Sequence, residues 1–145
     1  TVRGLEFPPV DFRPEEVVCP SLFARAIRSS WVPYLSTEGA ERAGFAGRVS
    51  PPLSFFHVVD AATIRQRLGI DWGRTLAAGE TAEYGVRVTE RDLVRGSVRV
   101  SDAYRRIGSD GDAREFLFLQ SIFTLVTTGD LISRSTVCFI EKYVE

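Results

Sequence analysis

The stretch that most constrains this chain covers residues 48–68, RVSPPLSFFHVVDAATIRQRL. Each proline fixes its own φ and pushes the residue before it towards extended backbone, so Ser50-Pro51-Pro52 is a stiff lead-in after which a helix can begin. Leu53, Phe56, Val59, Thr63/Ile64 and Leu68 then follow the three-and-four spacing of a helix with one apolar face. Phe55, Val58 and Ala62 widen that face until the first three turns are apolar nearly all round, and the spacing predicts a buried helix. Gly69 is its expected C′ residue, with Arg65 and Arg67 in the last turn, where the helix dipole favours cations. A buried helix needs a surface around it, and almost everything after Gly79 is strand-like. The expected fold class is therefore α+β, an antiparallel sheet wrapped around a long central helix.

The rest of the chain fits that plan. Residues 1–13 read as a short extended segment, broken at Pro8-Pro9 and resumed over 10–12. Pro14-Glu15-Glu16 opens a helical turn with acids at its positive end. A firmer helix is expected over 20–29, with Leu22, Phe23, Ala26 and Ile27 on one side and Arg25 and Arg28 in water. Trp31, Pro33, Tyr34 and Leu35 form an aromatic-rich connection, and Ser36 offers an N-cap for a short helix that Gly44 ends. After the central helix, residues 72–79 read as a loop with a turn at Ala78-Gly79, and four strands follow. The first, over 81–89, alternates Ala82, Tyr84, Val86 and Val88 against Glu83, Gly85 and Arg87. The second, over 97–107, places Val98, Val100, Asp102 and Tyr104 on one face. The third, over 114–127, is nearly continuously apolar, the pattern of a strand buried on both faces, and the last covers 131–142. Turn clusters at 108–112 and 128–130 separate them. Small helices, one long buried helix and then a meander is the element order of a hot-dog fold, here a single domain over residues 1–145.

Function classes narrow by charge and cysteine usage. Lys and Arg number 18 against 19 Asp and Glu, a formal charge of -1, so composition forces no basic face and nucleic acid is not the expected partner. No run of 18 apolar residues suits a membrane span, and the first residues, TVRGLEFPPVDF, lack signal architecture, which points to the cytoplasm. Cys19 and Cys138 have no metal-ligand spacing and read as two buried thiols. One histidine without a cysteine or acid cluster is too little for a metal site. No cofactor is expected.

Several segments resemble the MaoC-like dehydratase family, in particular its N-terminal-half type found as the non-catalytic subunit of hydroxyacyl-thioester dehydratases. They are Phe7-Pro8-Pro9, Phe23-Ala24-Arg25-Ala26-Ile27, Glu38-Gly39-Ala40-Glu41-Arg42-Ala43-Gly44-Phe45, Arg48-Val49-Ser50-Pro51-Pro52-Leu53-Ser54-Phe55 and Ala77-Ala78-Gly79-Glu80-Thr81. The resemblance implies a hot-dog fold, an acyl thioester of coenzyme A or acyl carrier protein as ligand, and a dimer joined sheet edge to sheet edge. That dimer is either a heterodimer with a catalytic MaoC-like subunit or a homodimer. Members that catalyse carry an Asp and a His in a D-x-N-P-x-H pattern after the first firm helix. The His moves the α-carbon proton, the Asp helps handle water, and amides at the buried helix's N-terminus hold the thioester oxygen. Here the corresponding loop is Ser29-Ser30-Trp31-Val32-Pro33-Tyr34. Ser29 or Ser30 stands in place of the Asp and Tyr34 in place of the His, and neither hydroxyl is a general base near neutral pH.

The resemblance thus implies a substrate-binding subunit, with Trp31, Tyr34, Pro52, Leu53, Ser54, Phe55 and Phe56 around the thioester. His57, the only histidine, reads either as a hydrogen-bonded core residue or as a base facing the acyl tunnel, oriented by Asp60 or a neighbouring subunit's carboxylate. Asp60 reads equally as an acid paired to Arg65 or solvated. Two alternatives stay open: a stand-alone dehydratase, hydratase or thioesterase of secondary metabolism using His57, and a non-enzymatic small-ligand-binding protein on the same fold.

Overall fold

Glycine turns at Gly111 (φ +84) and Gly129 (φ +78) build most of the sheet, because each must adopt a left-handed conformation that a side chain resists. They join β5 (Val94–Ile107), β6 (Ala113–Leu125) and β7 (Leu131–Tyr143) into an antiparallel meander. With β1 (Val10–Phe12) on one edge and β3 (Thr75–Tyr84) on the other, the order is β1-β5-β6-β7-β3. The computed structural model describes residues 2–17, 19–51 and 61–143. Before the sheet come four short helices, α1 (Pro14–Val17), α2 (Pro20–Ala26), α3 (Val32–Leu35) and α4 (Thr37–Arg42). A two-strand ribbon pairs β2 (Val49–Ser50) with β4 (Val88–Thr89).

Within the stretch expected to form the central helix, the described residues form α5 (Ala61–Leu68), which Gly69 ends at φ +67 as its C′ residue. Ile64 and Leu68, one turn apart, face the sheet while Gln66 and Arg67 are exposed. With Ile70 and Phe7 they pack on Val98, Val100, Leu117, Leu119 and Phe139. A second cluster, Phe12, Val88, Val94, Phe123 and Ile132, fills the other end of the same face. This is the hot-dog arrangement, a helix held in the curl of an antiparallel sheet. Across the row between the two clusters Ser121 pairs in register with Ser135, and Ser133 with Phe123. Ser133 and Ser135 are 1% and 2% exposed, and their hydroxyls have no hydrogen-bond partner among the described residues.

Several expectations change. Residues 72–79 are not a loop: a 3₁₀ turn over Trp72–Arg74 leads directly into β3, whose bulge at Ala78 takes the place of the expected turn. The strand expected over 81–89 is divided at Gly85–Arg87, where the chain crosses the start of β7 to reach β4. There Gly85 N donates to Ile132 O (2.8 Å) and Val86 N to Leu131 O (2.8 Å). A Cβ at Gly85 would collide with the Leu131 carbonyl, so this crossing requires glycine. In β5 a bulge at Ser101 inverts the alternation. Ala103 therefore continues the core face, while Asp102 and Tyr104 turn to the other side, where Tyr104 stacks on Phe116 at 4.9 Å. β6 is fully buried only at Ala113, Leu119 and Phe123, its outward Phe116, Phe118 and Ile122 being half-exposed, so it is not buried on both faces.

The N-terminal half also differs in detail. The helix expected over 20–29 stops at Ala26, and it buries Pro20 and Ala24 rather than Leu22, Ala26 and Ile27. Leu22 is 62% exposed. The aromatic connection contains a helical turn, α3, because Pro33 sits in its first turn, where a missing N–H costs nothing. Cys19 is exposed and Cys138 half-buried, so they are not two buried thiols; both are free. The N-cap at Ser36 forms as expected, its hydroxyl accepting from Gly39 N at 3.0 Å.

Candidate functional site

The site is built by the way α2 ends. Arg28 takes φ 56, an αL position usually left to glycine, and its N–H bonds to Arg25 O while Ser29 N–H reaches Ala24 O. The chain is thereby turned so that Ser29 Oγ accepts from Trp31 N (3.3 Å) and Trp31 caps α3. Trp31 is wedged edge-on against Tyr34 (4.5 Å) and Phe45 (5.8 Å). Over its ring lies the Arg87 guanidinium, 4.5 Å from the ring centre, a cation–π contact that fixes an otherwise floppy side chain.

The β2–β4 ribbon supplies the facing wall. Arg48 donates through Nε (2.9 Å) and Nη2 (2.8 Å) to Glu90 Oε2, and Glu90 N returns a bond to Arg48 O (2.8 Å). Clamped this way, Ser50 is buried opposite Val88. Tyr34, Ser50, Tyr84, Gly85, Arg87 and Ile132 line a cavity of about 270 Å³. Trp31 itself lines a separate shallow hollow of about 820 Å³, together with Arg28, Ser30, Val32 and Arg42.

Trp31 and Tyr34, expected to contact substrate, are thus brought together. Pro52, Leu53, Ser54, Phe55, Phe56, His57 and Asp60 lie outside the described residues. Sequence reasoning missed Arg87, Ser50 and Gly85. Their approach to Trp31 and Tyr34 depends on the crossing between β3 and β4, which leaves no local spacing signal. Chemically, the cavity offers three hydroxyls and a guanidinium, with no carboxylate and no imidazole among its described lining residues. It can hold a polar or anionic group, and these residues include no general base. Among the described residues no three His, Cys, Asp or Glu side chains come together to hold a metal ion. A separate, more apolar cavity of about 290 Å³ at the far end of the sheet is lined by Leu68, Ile70, Leu117 and Phe139 with Glu115 and Glu141. Of the described residues expected to bind substrate, neither Trp31 nor Tyr34 lines it.

Residues 20–127 match the family described as FAS1-like, dehydratase domain region. The chain belongs to this family. No curated protein matches it. Among solved structures it is similar to a chain of the C-terminally truncated HadBC (3R-hydroxyacyl-ACP dehydratase) complex from Mycobacterium tuberculosis, at 17% identity and TM-score 0.75 over 97% of both chains. It is also similar to a chain of the ChsH1-ChsH2 complex from the same organism, at 18% identity and TM-score 0.64, covering 97% of this chain and 98% of that one. A third similar structure is R-hydratase PhaJ1 from Pseudomonas aeruginosa, at 14% identity and TM-score 0.67, covering 99% and 86%. These likenesses establish the fold. The FAS1-like dehydratase domain region here has the hot-dog fold, shared with a solved MaoC-like dehydratase from Rhodospirillum rubrum, and among its described residues no helix is long and apolar enough to cross a membrane.

Proposed function

We propose that this chain is the acyl-thioester-binding subunit of a (3R)-hydroxyacyl-thioester dehydratase or enoyl hydratase, working beside a catalytic hot-dog partner. The observation that carries the reading is the cavity beside the Trp31–Tyr34 loop, furnished with hydroxyls and Arg87 but without an acid or imidazole among its described lining. A binding half needs donors to hold the thioester, and the proton-moving pair then belongs to the partner. Two further facts support this. β3 is an edge strand of ten residues, exposed from Leu76 to Tyr84, and so a template for pairing with another sheet. Two of the similar structures are named as complexes.

The test is enoyl-thioester hydration, followed by the loss of the conjugated thioester's absorbance. The chain with a catalytic MaoC-like protein is expected to co-purify and turn over crotonyl-CoA, while the chain alone is inactive. Turnover by the chain alone, lost in His57→Ala, overturns the reading and assigns His57, with Asp60 beside it, as the base of a stand-alone enzyme. Thermal stabilisation by a non-thioester ligand, and none by acyl-CoA, overturns it in favour of a non-enzymatic binding protein.

A further inference from the structure

The outer face of the sheet, turned away from Ile64 and Leu68, carries an apolar row across four strands. Leu76 of β3 is in register with Ile140 of β7, Ile140 with Phe116 of β6, and Phe116 with Tyr104 of β5. With neighbouring strands about 4.8 Å apart, the row is roughly 14 Å long. Tyr104 stacks on Phe116 at 4.9 Å and tilts against Phe118 at 5.9 Å, so its aromatic part is one continuous surface. Leu76 is 73% exposed and Tyr104 37%, while Phe116, Phe118 and Ile140 are half-exposed. Apolar side chains scattered singly over a surface are ordinary, whereas four in one register row form a patch.

The two flanks of the row differ in charge. Two residues along the strands on one side lie Arg106, Arg114 and Lys142, again in register; two residues the other way lie Asp102, Phe118 and Cys138. Arg114 and Lys142 pair with Asp110 and Asp112 of the adjoining turn, and Asp102 with Arg3 at 3.6 Å. Arg106 lies over the Tyr104 ring at 5.1 Å and has no carboxylate partner among the described residues.

We infer that this face binds the same face of a second copy of the chain, about a two-fold axis along the Tyr104–Phe116–Ile140–Leu76 row. Two like surfaces can pair this way only if the patch is complementary to itself, and this axis makes it so. Each of the four apolar side chains meets its own counterpart, and the cation row of one copy lies over the Asp102 row of the other. Arg106 then meets Asp102 of the other copy at two equivalent places, and Arg114 meets the Phe118 ring, where a guanidinium is attracted to the aromatic face. An axis along the strands instead sets the three cations of one copy against the three of the other, and like charges opposed across an interface are costly. Charge thus selects both the occupant and the way it lies. The contact leaves the edge of β3 open, so it is compatible with pairing there and independent of the thioester reading.

Sedimentation equilibrium of the full chain at rising concentration tests this with two charge reversals. Asp102 is half-exposed and Arg106 exposed, so Asp102→Arg and Arg106→Asp are surface changes, and thermal unfolding checks that both variants fold. Alone, Asp102→Arg opposes cation to cation and Arg106→Asp opposes acid to acid, and each is expected to weaken self-association about tenfold. An equimolar mixture of the two variants opposes cations to acids at both places and is expected to associate as the unaltered chain does. A chain that does not self-associate overturns the inference. So does a chain whose association neither reversal changes, a result that assigns the association to the β3 edge and the apolar row to a different partner. Weakening by both reversals without recovery in the mixture also overturns it, because that pattern marks damage to each chain rather than contact between the two positions.

Discussion

Replacing Glu90 with Ala removes one half of the clamp that holds β2 on β4. Glu90's side chain is 8% exposed and Arg48's 24%, and two guanidinium nitrogens converge on one carboxylate oxygen at 2.8 and 2.9 Å. Fully buried pairs cost about 3–5 kcal/mol when one partner is removed, and exposed pairs about 0–1 kcal/mol. Arg48 retains a quarter of its surface and can turn part of its charge to water, which places the expected loss at about 2 kcal/mol. For a domain of this size that is a fall in Tm of roughly 6 °C. Urea unfolding of Glu90→Ala, Arg48→Met, and Arg48→Met with Glu90→Leu measures the coupling directly. The double replacement is expected to recover most of the loss, because two matched apolar side chains leave no uncompensated charge. Strict additivity, or a loss below about 0.5 kcal/mol for Glu90→Ala, the range of an ordinary surface substitution, refutes the reasoning.

Four further outcomes follow from the geometry. Gly85→Ala drives a methyl into the Leu131 carbonyl and is expected to cost about 3 kcal/mol in denaturant unfolding; a neutral result shows that the crossing has slack. Ser135→Ala removes a buried hydroxyl with no described partner and is expected to stabilise by about 1 kcal/mol, so a loss of stability of that size rules out an unsatisfied hydroxyl. For the thiols, hydrogen bonds from Ser21 and the backbone pull Cys19 below the ordinary range while burial pushes Cys138 above it. Iodoacetamide at neutral pH should alkylate Cys19 first, as read by peptide mass, and the reverse order contradicts both directions. The Arg95 side chain holds the Asp11 carboxyl below its usual pKa. Its contribution is therefore present above the unfolded carboxylate pKa of about 3.9 and lost as pH falls through the lower folded value. The stability gap between the unaltered chain and Asp11→Asn should narrow as pH falls below the unfolded value, and the absence of any gap near neutral pH counts against the pairing.

The parts of the fold that were legible in sequence are those with a local cause. Ser36 as an N-cap, Gly69 as a C′ residue and the turns at Gly111 and Gly129 each follow from a single residue's conformational preference. The meander followed from alternation over long strands. β3 was misjudged at its start because an edge strand exposed on both faces carries no hydrophobic alternation. The faces of Asp102 and Tyr104 were inverted by one bulged residue, Ser101, which spacing alone does not reveal. Leu22 was assigned inward because a helix of seven residues is too short for periodicity to settle its orientation. At the site, Trp31 and Tyr34 stood out as aromatics in a short loop. Arg87 lies 56 positions after Trp31 and reaches it only through the β3–β7 pairing and the crossing at Gly85.

That crossing also joins two events that would otherwise be independent. The open border of β3 ends at Tyr84, and Arg87 is held three residues further on by a backbone pinned to Leu131 and Ile132. A neighbouring sheet zipped along that border would stiffen the same peptide run that aims the Arg87 guanidinium at Trp31, so assembly there and the ordering of the Trp31 loop would share one free energy. By reciprocity, whatever fixes that loop would favour pairing along the border by the same factor.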